Sequence, residues 1–280
     1  MSVRTLATEP VAGQAAGPVR SEVHSEPVSV PRAVVSEWIK FRTLRSSWAI
    51  LAAAVVALIG IGLIVAWNTR HVTPSIAPED LAPSSTMQGF LLAQLLIGSL
   101  GVLVVSGEYS TGMIRSTFAA VPRRLPTVWA KAVVFVAVIG VAMTVAVVVA
   151  FLSSQGLLSH YRTGYSLTDS GVPRVVFGTA LYLTLIGVLG GAVGWIVRNT
   201  PGALVTFLGL ILVVPIIFGE LLGSWGKDVA QYLPSDAGQS FITSLHQDHT
   251  LSPGTGLCVL LAWTVAAVAG AAVLLRRRDV

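Results

Sequence analysis

The chain has 280 residues, 54% of them hydrophobic and 11% charged, with a formal net charge of +5 at neutral pH. That charged share is roughly half that of a soluble domain, and the apolar residues stand in unbroken blocks, which excludes an ordinary soluble globular fold. The single cysteine, Cys258, excludes both an intrachain disulfide and a cysteine-based metal site, and reads as a small apolar filler.

Residues 1–31 carry scattered Pro, Gly, Ser and Glu and no apolar run long enough for a signal-peptide core. They read as a disordered tail. The next stretch, VVSEWIKFRTLRSSW at 34–48, places Val34, Trp38, Phe41 and Leu44 at spacings of four and three, with Ser36 as a candidate cap. Lys40 lies within it, and Arg42 and Arg45 share the apolar arc, as long basic stems lying along an apolar surface do. The expected element is an amphipathic lead-in helix at the membrane interface, with Trp38 and Trp48 as belt residues. A merely basic flank before a span is the alternative.

Six blocks then meet the requirement of about 20 apolar residues to cross about 30 Å of hydrocarbon. They are 48–67, 87–106, 128–152, 175–197, 202–222 and 256–275. Lys131, one turn inside the third, is the only basic residue within any of them. The fold class expected is therefore an all-α membrane protein with six transmembrane helices, the spanning domain covering 32–280. Pro215 in the fifth block predicts a kink. Between the fifth and sixth blocks, the moderately apolar 229–245, broken by Pro234, predicts a re-entrant or surface-lying helical pair. Gly187, Gly190, Gly191 and Gly194 form small-xxx-small pairs that serve either internal packing or a subunit interface.

Six spans put both termini on one side. With the tail, the 107–127 loop and adjacent Lys131, the turn after the fourth span and the C-terminus on that side, it holds 14 of the 18 basic residues. The other side holds Arg70, Arg162, Arg174 and Lys227. The positive-inside rule makes the basic side cytoplasmic, and the location a plasma membrane. On the outer side, His246, Asp248 and His249 are close in sequence, but exposed loop histidines are more often plain polar residues, so no metal site is expected. No phosphate-binding glycine loop, GxSxG or HExxH occurs, so the chain is not expected to be an enzyme by itself or to hold a cofactor. No nucleic-acid partner is expected.

The stretch GEYSTGMIRSTFAAVPRRLP, 107–126, follows the second span directly. Drawn as a helix, it carries Glu108, Thr111, Gly112, Arg115, Ala119 and Arg123 on one arc and Tyr109, Met113, Ile114, Phe118 and Val121 across the other. Pro122 and Pro126 break it before the third span. It is longer than a hairpin between neighbouring spans needs. A short amphipathic helix here would present its polar arc to a cytoplasmic partner.

Glu108, Tyr109, Gly112, Ile114, Arg115, Pro122 and Arg123 resemble the loop motif of the permease subunit of ABC-2 type ATP-binding-cassette transporters. The lead-in segment SEWIKFRTLRSSW, the six-span layout and YLPSDAG at 232–238 are similar to the same family, and the Ala/Val/Arg-rich composition to its actinobacterial members. The resemblance implies a lead-in helix on the inner leaflet and a coupling helix, 107–121, docked on a separate ABC ATPase that binds ATP and Mg. Glu108 and Arg115 would supply polar contacts and Met113 and Phe118 would anchor the helix, with Tyr109, Thr111 and Gly112 also among the coupling residues. It also implies a second permease subunit, identical or not, and export of a lipophilic or amphipathic substrate. A membrane scaffold or sensor that recruits a signalling protein through the same loop is the alternative. An intramembrane enzyme ranks last, because the spans lack deep acidic or histidine residues.

Overall fold

The computed structural model describes residues 30–69, 84, 87–110, 112, 124–160, 165–243 and 249–277. Among these residues there is no strand, and six helices are long and apolar enough to cross a membrane. Helix α1 spans Val30–Thr43 and is followed, after Leu44, by the first long helix, α2, Arg45–Thr69. The others are α3 (Phe90–Ser110), α4 (Arg124–Leu158), α5 (Val172–Val197), α6 (Thr200–Leu221) and α9 (Pro253–Arg277). Two shorter helices, α7 (Gly223–Ala230) and α8 (Pro234–Ile242), lie between the last two spans; α8, opened by Pro234, falls in the 229–245 stretch expected to hold a pair, whereas α7 starts six residues before that stretch.

Every block expected from the sequence lies within or nearly within one of these helices, but the helices overrun the apolar runs. The 35-residue α4 is about 52 Å long, well beyond the hydrocarbon thickness. Pro126 does not break the chain ahead of it. It sits in the first turn of α4, where a backbone N–H has no intrahelical acceptor to lose.

Helix α5 is the hub, packed against α3, α4, α6, α8 and α9, and its closest partner is α3. A Cβ on Gly190 would overlap the carbonyl oxygen of Gly98, and one on Gly101 would overlap that of Gly187. The glycines of α5 thus serve contact within the chain, the first of the two readings left open above. At the core, the Tyr182 hydroxyl donates to Gln94 Oε1, both side chains being buried, so two polar groups satisfy each other across α5 and α3. Cys258 fills no core gap; it is exposed on α9.

Pro215 acts differently from a simple kink. Two π-helical stretches, Gly209–Val213 and Ile217–Leu221, flank it, and the Val214 N–H reaches back five residues to Gly209 O. A proline has no N–H for the carbonyl four residues back, and the helix widens on both sides of it.

At the end of the bundle where α5 begins, Arg174 donates to the carbonyls of Phe241 (3.0 Å) and Thr243 (3.2 Å) and so caps the end of α8. Asp236 lies in the first turn of α8, half-buried, and burial raises its pKa to about 6 against a partial offset from the Ser235 hydroxyl. The folded chain therefore binds this proton more tightly than the unfolded one, so its contribution to stability falls as pH rises from about 4 to about 6. Asp236→Asn is expected to flatten that dependence and to raise thermal stability at pH 7.5. Melting curves in detergent between pH 4.5 and 7.5 measure both; unchanged curves would show the carboxyl to be freely hydrated.

Candidate functional site

The opposite end of the bundle gathers α1, the end of α3 and the start of α4. Among the described residues, four charged side chains alternate in a ring there. Lys131 Nζ of α4 lies 2.5 Å from Glu37 Oε2 of α1 and 3.0 Å from Glu108 Oε1 of α3. Lys40 Nζ, one turn beyond Glu37, lies 2.8 Å from Glu37 Oε1 and 3.1 Å from Glu108 Oε1. Glu37, Glu108 and Lys131 are only 5%, 7% and 5% exposed, while Lys40 is partly open. Lys131 also reaches the Val104 carbonyl at 3.4 Å.

Buried charges are tolerated only when paired and hydrogen-bonded, and two carboxylates against two ammoniums leave this ring neutral. Burial pushes the Glu37 carboxyl up, but the Lys131 charge beside it and hydrogen bonds from Lys131 and Lys40 outweigh that and hold it below its ordinary value. For Lys40, burial works against the charge, yet its bonds and proximity to Glu37 and Glu108 raise its pKa. The stabilisation from Glu37 is therefore fully present at neutral pH and is lost as pH falls through the carboxylate range.

The ring changes the reading of α1. Its buried face runs through Ala33, Glu37 and Phe41, while Trp38 and Leu44 point outward at 42% and 44% exposure. Phe41 is shared with the expected apolar stripe, but the ion pairs of Glu37 centre the buried face on residues 33, 37 and 41 rather than on 34, 38 and 41. Ser36 caps nothing, because the helix is already under way from Val30. Phe41 packs edge-on to Trp48 (5.8 Å between ring centroids), whose indole donates to the Arg42 carbonyl at 3.2 Å. The side chains of Arg42 and Arg45 are exposed.

Tyr109, next to Glu108, also turns into the fold. Its ring meets Trp195 of α5 edge-on at 5.9 Å, and the Arg198 guanidinium lies over it at 5.7 Å. Arg198 itself takes a left-handed conformation as the C-cap of α5 and donates to the Leu274 carbonyl on α9 at 3.4 Å. One residue pair at the end of α3 thereby ties to α1 and α4 through Glu108 and to α5 through Tyr109.

Of the stretch 107–121, the structure describes 107–110 and 112. Helix α3 ends at Ser110, and Gly112 has φ +72°, a left-handed conformation that stops a right-handed helix and suits glycine. Glu108 and Tyr109 therefore belong to the end of the long helix, before the turn. Thr111, Met113, Arg115 and Phe118 lie outside the described residues, as do His246 and Asp248. His249 pairs instead with Asp228, at 2.9 Å on the exposed surface.

Sequence reasoning named Lys40 and Glu108 but not Glu37, Lys131, Trp195 or Arg198 as members of this site. A usable signal existed for Lys131: an ammonium one turn inside an apolar span requires a carboxylate partner. No protein-family model matches the chain, and no curated protein is significantly similar to it.

Proposed function

We propose that this chain is the membrane-spanning permease subunit of an ATP-driven transporter of the ABC-2 type, exporting a lipophilic or amphipathic substrate. Both termini face the cytoplasm of a plasma-membrane protein, the side favoured by the 14-to-4 distribution of basic residues. A separate ATPase docks on the loop that begins at Gly107, and a second permease subunit completes the translocation unit. The observation that carries the reading is the ion ring at the root of that loop. A push on the residues after Gly112 is transmitted to Glu108, and through its lysine partners to α1 and α4. Glu108 acts in this scheme as a positioning residue, with ATPase contacts falling to Thr111, Met113, Arg115 and Phe118 beyond the turn.

The test is co-purification of the chain with its ATPase, followed by substrate-stimulated ATP hydrolysis in proteoliposomes. Glu108→Gln is expected to keep the ATPase bound while lowering stimulated hydrolysis at least about tenfold. Gly112→Pro, which cannot adopt a positive φ, is expected to lose the ATPase as well. Retention of both association and stimulated hydrolysis in the two variants would overturn the coupling role.

A further inference from the structure

Arg198, at the turn between α5 and α6, touches two further helices. Its guanidinium lies over the Tyr109 ring of α3 at 5.7 Å and donates to the Leu274 carbonyl of α9 at 3.4 Å. We propose that Arg198 is a latch: it fastens the end of α9 to Tyr109, and its release lets that end swing away from α3, α4 and α5.

The corner is built as one of two arrangements rather than as a fixed joint. Its backbone is strained. Arg198 has φ +59°, and among the described residues only the exposed His249 is also a non-glycine at positive φ. Such a conformation persists only where the surroundings hold it. Its bonding is incomplete. Arg198 Nε and Thr200 Oγ1, in the same turn, are buried with no hydrogen-bond partner among the described residues, and so is Ser106 Oγ, one turn before Tyr109. A buried polar group left unpaired disfavours the state that leaves it so, and the bond to Leu274 is already long. The packing is divided as well. This end of α9 rests on a small apolar cluster of Val105, Val128, Trp195, Ala271 and Leu275, separate from the main core. A gap of about 40 Å³ adjoins that cluster, lined by Gly101 and Val105 of α3, Ala132 of α4, Gly191 of α5 and Val268 and Ala271 of α9 among others. It has room for about one water molecule between mainly apolar walls, so contacts are forgone there rather than bridged. The released guanidinium also has a second set of partners. A half-buried arginine at the end of a span reaches headgroup phosphates by turning outward.

The latch is a property of the chain by itself and is tested without an ATPase. Nitroxide labels at Val133→Cys, exposed on α4, and Arg276→Cys, exposed at the end of α9, report their separation by double electron–electron resonance in nanodiscs, with Cys258→Ser as background. One main distance with a minor longer population is expected. Arg198→Asn tolerates the left-handed backbone but reaches neither partner, and Tyr109→Leu keeps apolar bulk without the ring. Each is expected to raise the ratio of long to short distance at least about tenfold. Arg45→Asn, at an exposed arginine of α2, is the control and leaves the ratio unchanged. An unchanged ratio in either latch variant, or an equal rise in the control, would overturn the proposal. Where Arg198→Asn fails to fold, Tyr109→Leu, which leaves the turn intact, decides alone.

Discussion

Replacing Lys131 by Met is expected to lower stability by about 3–5 kcal/mol, the loss that follows removal of one partner from a buried ion pair. The magnitude follows from the geometry of the ring. Lys131 is the buried one of the two lysines that bridge Glu37 and Glu108, and it and both carboxylates are nearly inaccessible to solvent. Without it, both buried carboxylates lose a buried cation and lean more on the partly exposed Lys40. Met fills a similar volume, so the loss reports charge rather than a cavity. The double variant Glu37→Gln with Lys131→Met keeps the balanced Lys40–Glu108 pair and is expected to recover most of the stability. A double-mutant cycle on apparent melting temperature in detergent isolates that coupling. The single variant should also regain stability as pH falls, because protonating Glu37 removes the unpaired charge, the reverse of the wild-type trend. A Lys131→Met protein that melts with the wild type, at every pH, would mean that the ring contributes nothing.

The spans were legible because the bilayer imposes one requirement, about 20 apolar residues with every backbone group satisfied within the helix, and composition alone meets it. Helix α8 was legible for a local reason, Pro234 breaking a moderately apolar stretch, while α7 begins before that stretch. Helix rotation was not. An apolar stripe assigns the buried face of a helix only when burial is apolar, and Glu37 is buried against Lys131, 94 residues further along, while Lys40 beside it pairs with Glu108, 68 residues on. The same limit hid the role of Tyr109, whose neighbours Trp195 and Arg198 come from α5. Gly112 carried a different ambiguity: drawn as a helix, the stretch places it on the polar arc, whereas its positive φ ends α3 just before it. Lys40, Phe41 and Glu108 were reached by pattern and resemblance, while their joint arrangement rests on tertiary contacts between segments far apart in the chain.

Gly190→Ala is expected to destabilise the chain by about 1–3 kcal/mol, although alanine is the better helix former by roughly 0.5–1 kcal/mol. The added Cβ would fall on the Gly98 carbonyl oxygen, a backbone atom that cannot rotate away. Helices α3 and α5 would have to separate along their whole contact, disturbing Ile97, Leu100 and Ile186, which are fully buried there. The adjacent Gly191 supplies an internal control. A Cβ on it would meet the Gly101 carbonyl oxygen at 3.5 Å, an ordinary van der Waals distance, so Gly191→Ala is expected to be neutral or slightly stabilising. The contrast between neighbours removes helix propensity and bulk hydrophobicity as explanations, because both substitutions change those equally. It also separates contact within the chain from a subunit interface. If these glycines joined two copies of the chain, Gly190→Ala would shift the oligomer in size-exclusion chromatography while leaving the melting of the monomer intact. The close approach of α3 and α5 predicts the reverse: a lower melting temperature by tryptophan fluorescence at every protein concentration.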